Sequence, residues 1–244
     1  MKPKRIEILG VPVDCVNMEQ TVEFVAESIQ AGRQISVLAV NPEKVIKAQT
    51  DATVMRLLGN AGLLIPDGIG VVLAARIFGL GKMQRVPGSE LMPKLCELAA
   101  RKGLKVFFFG ASPEVNLRAA QRLLERYPGL AIVGNQHGYV KDADMPELIE
   151  RINASQAQML FVALGSPRQE LWIEHYAPHL NVKIFQGVGG TFDVIAGTVK
   201  RAPWLFRKVH LEWFYRLMAQ PKRLLRQTAL PKFVYKVVVR RVVG

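Results

Sequence analysis

Short, largely apolar runs alternate with longer mixed segments along most of the chain. The clearest runs occupy residues 35–40, 63–65, 104–109, 159–164 and 182–185. Each has the length of a buried strand, and the segments between them carry the apolar spacing or capping residues of helices. Such alternation is typical of parallel βαβ units. The pattern therefore predicts an α/β fold with a mostly parallel sheet and helices on both faces.

Capping residues predict where several helices begin. Asn17, with Gln20 three residues later, has the pattern of a capping box before a helix that extends to about residue 31. Ser89 is expected to cap a helix that extends to about residue 102. Ser112 and Ser166 each follow a glycine at a strand end and precede a proline, so both are expected to cap the helix that follows.

Polar or glycine-rich turns follow five of the predicted strands. In open parallel sheets, ligands bind outside the carboxyl ends of the strands. We therefore expect these turns to meet at one edge of the sheet and to form the candidate site. The turns are at residues 41, 67, 110–112, 165–169 and 187–193.

Three of these turns have features suited to a diphosphate. Gly187, Gly189 and Gly190 allow a sharp bend and a close approach of the backbone to a ligand. The turns at 110–113 and 165–167 lead into helices whose unpaired amides could cradle a diphosphate. For either turn alone ordinary helix capping is the favoured explanation, and their expected position beside the glycine turn strengthens the case for a ligand. The chain has no G-x-G-x-x-G or P-loop motif, which removes support for a nicotinamide-dependent oxidoreductase or an ATP site.

Four side chains at or near the strand ends are candidates for chemistry. Asp67 could accept a proton from a substrate hydroxyl or cap the helix that begins at residue 69. Asp193 could bind a sugar hydroxyl or stabilise its own turn. Gln169 could bind a sugar or a base, and Arg85 could pair with phosphate; a helix-surface glutamine and a solvated loop arginine are the alternatives.

Composition limits the class of protein. Half of the 244 residues are hydrophobic, which indicates a globular protein, and Cys15 and Cys96 are far apart, as in a cytosolic protein with reduced cysteines. We predict no signal peptide and no transmembrane span. His175 and His179 have a helical i, i+4 spacing that could bind a metal, but they match no metal-ligand motif, so we predict surface histidines and no metal site.

Positive charge is concentrated at the C-terminal end. From residue 198 onward there are twelve Lys or Arg and one acid, so +11 of the net charge of +13 lies there. This tail predicts a polyanionic partner, which could be a membrane surface, a nucleic acid or a phosphorylated substrate. Its cations could also neutralise a leaving diphosphate.

Apolar residues in the tail have helical spacing. Phe206, Val209, Trp213 and Leu217 form a stripe with basic residues beside it, which predicts either an interfacial membrane helix or a last helix packed on the body. Residues 233–243 fit a helix or an alternating strand. Pro221 and Pro231 are expected to break the tail into short pieces.

Motifs throughout the chain resemble those of the WecG/TagA/CpsF family of bacterial glycosyltransferases (glycosyltransferase family 26). The resemblance covers essentially all 244 residues. The motifs are NPE at 41–43, PDG at 66–68, RVPG at 85–88, FVALGSPRQE at 161–170, GVGGTFDVIAG at 187–197, KRAP at 200–203 and EWFYR at 212–216, with Arg223 and Arg226 after it.

The resemblance implies a Rossmann-like catalytic core, residues 1–197, and a basic C-terminal appendage, residues 198–244. It implies that the appendage docks on the inner face of the cell membrane and completes the active site. The implied reaction is metal-independent and inverting, and moves a sugar from a UDP-sugar to an undecaprenyl-diphosphate-linked sugar in cell-surface polysaccharide or teichoic acid synthesis. N-acetylmannosamine, its uronic acid and glucose are the implied sugars, and the protein is expected to need no cofactor.

The resemblance also assigns roles to individual residues. Asp67 matches the proposed general base, and Arg216, Arg223 and Arg226 are candidates for stabilising the leaving UDP. The substrate-binding candidates are Asn41, Arg85, Gly110, Gly165, Gln169, Gly189, Gly190 and Asp193, and the membrane-binding candidates are Phe206, Trp213, Lys222, Lys232 and Arg240.

One departure from the family pattern and two other questions bear on these expectations. Ala39 stands where the family often has threonine two residues before the Asn, so the donor sugar or the local geometry can differ. The alternative function is a regulatory protein that binds a nucleotide-sugar and grips nucleic acid with its tail. The spacing of the tail aromatics argues against base stacking, so we expect no nucleic-acid partner; the oligomeric state, including a homo-oligomer, stays open.

Overall fold

A computed structural model describes residues 2–199 and 228–243 of the chain. Its strands are β1 (Arg5–Ile8), β2 (Val11–Asp14), β3 (Ile35–Val40), β4 (Leu63–Pro66), β5 (Lys105–Gly110), β6 (Ala131–Gln136), β7 (Met159–Ala163) and β8 (Ile184–Gly187). Its helices are α1 (Met18–Gln30), α2 (Pro42–Ala48), α3 (Ala52–Gly59), α4 (Ile69–Ile77), α5 (Gly88–Lys102), α6 (Pro113–Arg126), α7 (Met145–Ala154), α8 (Arg168–Tyr176), α9 (Thr191–Ala196) and a C-terminal helix (Ala229–Val243).

Six strands form one parallel sheet in the order β4-β3-β8-β7-β5-β6. The α/β fold with a mostly parallel sheet is therefore confirmed. β8, which leads into the glycine turn, lies at the centre between β3 and β7. The two halves of the candidate edge consequently meet at the glycine turn.

Side chains of successive strand residues point to opposite faces of the sheet, and helices cover both faces. In β5, Val106 and Phe108 join a core with α1, α5, α6 and α9, whereas Phe107 and Phe109 join a core with α7 and α8. Helices α2, α3 and α4 cover the same face as α7 and α8, over β3 and β4. Burial on both faces explains why the strands appear in the sequence as continuous apolar runs.

The N-terminal hairpin lies outside the parallel sheet. β1 and β2 pair antiparallel and are joined at Leu9 and Gly10. Asp14, 1% exposed, pairs with Arg5 at 2.8 Å and accepts a hydrogen bond from the Leu64 amide at 2.8 Å. The hairpin is therefore held against β4.

The C-terminal segment forms a helix and not a strand. It packs against α2 and α4, and its buried residues Phe233 and Val237 join the core of that face. Lys236 Nζ donates to Gln49 Oε1 of the body. The sequence predicted a break in the tail at Pro231, but the helix continues through this residue. Pro231 falls in the first turn, where a backbone amide has no partner within the helix, so the lack of an amide hydrogen on proline costs nothing there.

Two predicted caps and one strand boundary are wrong. α5 begins at Gly88 after Pro87, and α8 begins at Arg168 after Pro167, so neither Ser89 nor Ser166 is the capping residue. Ser112 does cap α6, accepting from the Val115 amide at 3.3 Å. The last strand lies at Ile184–Gly187 and not at residues 182–185, because pairing with β3 and β7 starts at Ile184.

Within the described ranges 2–199 and 228–243, no helix is long and apolar enough to cross a bilayer.

Candidate functional site

Asn41, Asp67 and Arg85 are brought together by backbone contacts between their loops. The Asp67 amide donates to the Val40 carbonyl at 2.8 Å, which ties the end of β4 to the residue before Asn41. A side chain on Gly68, whose φ is +127°, would begin 3.3 Å from Pro42. The close fit of these turns places the predicted base beside the predicted substrate-binding asparagine.

The loop that carries Arg85 joins the same corner. The Val86 amide donates to the Pro66 carbonyl at 2.8 Å, directly before Asp67. Arg85 is mostly buried and lies 4.0 Å from Glu90 in α5. The guanidinium of Arg85 is therefore near the loop that carries Asp67, where it could bind a phosphate.

Asn41 caps the helix that follows it, whereas Asp67 does not. The Asn41 side chain accepts from the Lys44 amide at 2.8 Å and so caps α2. The capping position of α4 is Gly68, and Asp67 precedes it. The proposed role of Asp67 as the residue that caps this helix is therefore wrong, while its catalytic role stays a prediction.

The glycine turn and the loop after β7 border open space. Gly165 and Gly189 have φ values of +77° and +52°, and no atom lies within 4 Å of the point where a side chain would begin on either. On Gly190 the neighbour at that point is the half-buried Asp193 carboxylate, at 3.7 Å. These glycines allow the backbone to turn and leave space beside it for a ligand.

Buried contacts hold the helix that follows the glycine turn. The ring of Phe192 is fully buried and packs 5.2 Å from the ring of Phe108 in β5. Arg122 of α6 donates to the Ile195 carbonyl at 2.9 Å, near the end of α9. The turn therefore connects a central strand to a helix that is fixed in the core.

Gly110 has a packing role that the sequence did not separate from ligand binding. Its φ is +119°, and an added side chain would begin 2.5 Å from the Ala163 backbone of the neighbouring strand β7. Asn116, which is buried, donates to the Gly110 carbonyl at 2.9 Å and to the Gln136 carbonyl at 3.1 Å. This turn is therefore fixed by close approach of β5 and β7.

Gly110→Ala is expected to lower the free energy of unfolding by at least about 2 kcal/mol, because the added methyl group meets backbone and the φ is unfavourable. Urea unfolding measures this. Gly59→Ala is the matched control, since Gly59 ends α3 with no atom near its side-chain position, and it is expected to be neutral or slightly stabilising. Equal stabilities of the two variants would contradict the packing role.

Gln169 is buried and bridges two parts of the site. Its Oε1 accepts from the Gly189 amide at 3.0 Å, and its Nε2 donates to Glu170 Oε1 at 3.3 Å. A side chain on Gly187 would begin 2.5 Å from the Gln169 Nε2. The contacts of Gln169 described here are internal, and its predicted contact with substrate stays a prediction.

Sequence reasoning missed the ion pair beside Gln169. Lys44 Nζ of α2 lies 2.9 Å from Glu170 Oε1 of α8, and both side chains are largely buried. The two residues are 126 positions apart. The pair was missed because both residues fall in helical segments where a charged side chain usually faces solvent.

Two further features of this edge were not singled out from sequence. Gln186 in β8 is 1% exposed and donates from Nε2 to the Gly88 carbonyl at 3.5 Å. The loop after β6 joins the Gly110 turn, since the Gly138 amide donates to the Ala111 carbonyl at 2.8 Å. That loop carries Tyr139, which is 71% exposed.

A groove of about 240 Å³ lies between α3 and α8, and Glu170 is one of the residues that line it. Gln34, Ile35 and Gly62 line it and belong to the amino ends of β3 and β4 or the residues before them. Since parallel sheets of this kind bind ligands at the opposite ends of their strands, we place the candidate site at the carboxyl edge.

Several predicted site residues lie outside the described part of the chain. They are the catalytic candidates Arg216, Arg223 and Arg226 and the membrane candidates Phe206, Trp213 and Lys222. Lys232 and Arg240 lie on the C-terminal helix, and both are exposed.

The described residues provide no cluster for a metal ion: within 2–199 and 228–243, no three His, Cys, Asp or Glu are grouped to hold one. His175 and His179 are exposed. Cys15 and Cys96 are free thiols, and burial raises the pKa of Cys96 and is the main cause of the raised pKa of Cys15. Raised thiol pKa values disfavour the reactive thiolate.

The arrangement can position a diphosphate and remove a proton. The glycine turn and the loop after β7 border open space, and the positive end of the α8 dipole beside that loop favours an anion. A carboxylate at Asp67 lies at the other half of the edge, between the Asn41 and Arg85 loops. These groups suit a reaction in which a hydroxyl acceptor takes a chemical group from a donor and the phosphate part of the donor leaves.

The chain is similar to known proteins over most of its length. Residues 6–244 match the model of the Glycosyl transferase WecG/TagA/CpsF family. The chain is 39% identical over 202 residues to an N-acetylglucosaminyldiphosphoundecaprenol N-acetyl-beta-D-mannosaminyltransferase of Bacillus spizizenii, covering 83% of this chain and 78% of that protein. It is 35% identical over 235 residues to a Staphylococcus aureus protein of the same name, covering 96% of this chain and 92% of that protein.

Proposed function

Because the chain belongs to the WecG/TagA/CpsF family of glycosyl transferases, we propose that it moves a sugar from a UDP-sugar to an undecaprenyl-diphosphate-linked sugar. The observation that carries this proposal is similarity over nearly the whole chain to enzymes named for that acceptor and for N-acetylmannosamine. The proposed donor is UDP-N-acetylmannosamine, with the uronic acid and glucose donors as alternatives. The proposed role is in teichoic acid or other cell-surface polysaccharide synthesis.

The proposed reaction is a direct displacement with inversion. Asp67 removes a proton from the acceptor hydroxyl, whose oxygen then forms a bond to the sugar C1 as the bond from C1 to UDP breaks. The position of Asp67, beside the Asn41 and Arg85 loops, supports this role. The open space beside Gly165 and Gly189 supports binding of the donor diphosphate opposite Asp67.

The C-terminal appendage is proposed to bring this edge to an anionic membrane surface on the cytoplasmic side. The ring of Phe233 lies 3.6 Å from the point where a side chain would begin on Gly70. Gly70 is in the first turn of α4, three residues after Asp67, so the C-terminal helix packs close to the loop of the proposed base. Val234, Val238 and Val242 on the same helix are exposed. Arg216, Arg223 and Arg226 are proposed to neutralise the leaving UDP.

A panel of UDP-sugars assayed against one undecaprenyl-diphosphate-linked N-acetylglucosamine acceptor tests the function. We expect transfer from UDP-N-acetylmannosamine to exceed transfer from other UDP-sugars at least tenfold, and to persist in EDTA. Product analysis by mass spectrometry measures it. Absence of transfer from every donor, with tight and strongly salt-dependent binding to nucleic acid, would favour the regulatory alternative.

A further inference from the structure

A buried ion pair connects three of the loops at the candidate site. Lys44 follows the loop after β3, Glu170 follows the loop after β7, and Gln169 reaches from the second loop to the glycine turn after β8. Glu170 is 3% exposed, and its Oε1 is 2.9 Å from Lys44 Nζ and 3.3 Å from Gln169 Nε2. The contact of Gln169 Oε1 with the Gly189 amide completes the connection.

The chemistry of these groups gives the Gln169 amide one favourable orientation. An ionised carboxylate only accepts hydrogen bonds, and a backbone amide only donates. With Glu170 on one side and the Gly189 amide on the other, Nε2 must face the carboxylate and Oε1 must face the turn. Rotating the amide by half a turn would oppose donor to donor and acceptor to acceptor. Glu170 therefore determines that Gln169 offers an acceptor to Gly189.

Stability alone does not account for this ion pair. Removing two charges from water costs free energy that their attraction often fails to offset, and apolar replacements of a buried pair are frequently neutral or stabilising. Glu170 Oε2 is buried and has no hydrogen-bond partner among the described residues, which adds to the cost. A function that needs the carboxylate itself explains its presence.

We propose that Glu170 is a positioning residue for donor binding. Through Gln169 it fixes the Gly189 amide, and with it the shape of the glycine turn that receives the donor diphosphate. Lys44 holds the carboxylate in place from α2. The inference rests on the proposed function, because it takes the turn as part of the UDP-sugar site.

The double variant Lys44→Met/Glu170→Met tests the inference. It removes both charges together, so neither is left buried alone, and it keeps unbranched side chains of similar length. We expect a folded protein with a melting temperature within a few degrees of wild type. We also expect UDP to bind about tenfold more weakly by calorimetry, and the Gly189 amide to exchange with solvent about tenfold faster by NMR.

The chain offers a matched control one turn further along α8. Arg56 and Glu174 form a second ion pair between α3 and α8. Glu174 also accepts a hydrogen bond at 3.3 Å from Asn60, which follows α3 and belongs to none of the five strand-end turns. Arg56→Met/Glu174→Met is expected to leave UDP affinity and Gly189 exchange at wild-type values. Glu170→Gln keeps an acceptor oxygen for Gln169 and is expected to retain most of the UDP affinity.

Unchanged UDP affinity and unchanged Gly189 exchange in the folded double variant would overturn the inference. If that variant does not fold, Glu170→Asp decides, because it keeps the charge beside Lys44 while drawing the oxygen away from Gln169; wild-type Gly189 exchange in it would equally overturn the inference. If wild-type protein binds no UDP, the proposed function fails, and Gly189 exchange alone still tests the network.

Discussion

Asp67→Asn is expected to lower sugar transfer by about 10²–10⁴-fold while donor binding stays close to wild type. A general base contributes a rate factor of this size, and asparagine keeps the shape of the side chain but cannot take the proton. The backbone contacts that hold the loop, from the Asp67 amide to Val40 and from the Val86 amide to Pro66, do not involve the carboxylate. Turnover with the lipid-linked acceptor and calorimetric binding of UDP measure the two properties separately.

Asp51→Asn is the matched control for this prediction. Asp51 caps α3 by accepting from the Thr53 and Val54 amides, and asparagine caps helices equally well. Both its transfer rate and its stability are expected to match wild type. Wild-type turnover in Asp67→Asn would remove Asp67 as the base, and a parallel loss of UDP binding would assign it to the donor site instead.

Placing aspartates on the outward face of the C-terminal helix is expected to release the protein from anionic vesicles. Val234, Val238 and Val242 are 59%, 54% and 79% exposed, and basic residues flank them. Burying three such side chains at a lipid interface is worth about 3 kcal/mol in total, since only part of each enters the acyl region, so binding should fall at least about 100-fold. Flotation with phosphatidylglycerol vesicles measures this.

Exposed leucines on another helix provide the control for the vesicle experiment. Leu117 and Leu124 of α6 are 52% and 45% exposed, and Leu117→Asp/Leu124→Asp is expected to leave vesicle binding unchanged. The valine variants should bind UDP like wild type, since Phe233 and Val237, the inward-facing residues, are intact. These substitutions test the membrane contact more specifically than deletion from residue 198 would, because that deletion would also expose the apolar surface against which Phe233 packs. Unchanged flotation of the valine variants would remove this helix from the membrane contact.

The sequence predicted the parallel sheet because its strands are buried on both faces. Burial on both faces gives uninterrupted apolar runs, such as the one around Phe107 and Phe108. A strand with one face in solvent would alternate apolar and polar residues instead. The cap at Ser112 was also predictable, since serine followed by proline is a local signal. The same signal failed at Ser166, where α8 begins only after Pro167. The length of a loop depends on where its helix packs, which nearby residues do not encode.

The candidate site was predictable in outline for a related reason. Once the sheet is parallel, every strand-end turn must reach the same edge, so Asn41, Asp67 and the glycine turn were placed together from sequence. The sequence did not show which glycines are needed for packing and which border a ligand site. Gly110 meets the backbone of a neighbouring strand, whereas Gly189 borders open space, and only the packed structure distinguishes them.

By itself, the sequence determined the layered fold, the edge at which the strand-end turns meet and the basic character of the tail, because hydrophobic spacing, turn residues and charge are local properties. The tertiary structure decided that residues 229–243 form a helix, since Phe233 and Val237, four residues apart, meet one apolar surface formed by α2 and α4. It also decided the contact between Lys44 and Glu170. Contacts between residues more than a hundred positions apart arise from the packing of whole elements, and no local pattern records them.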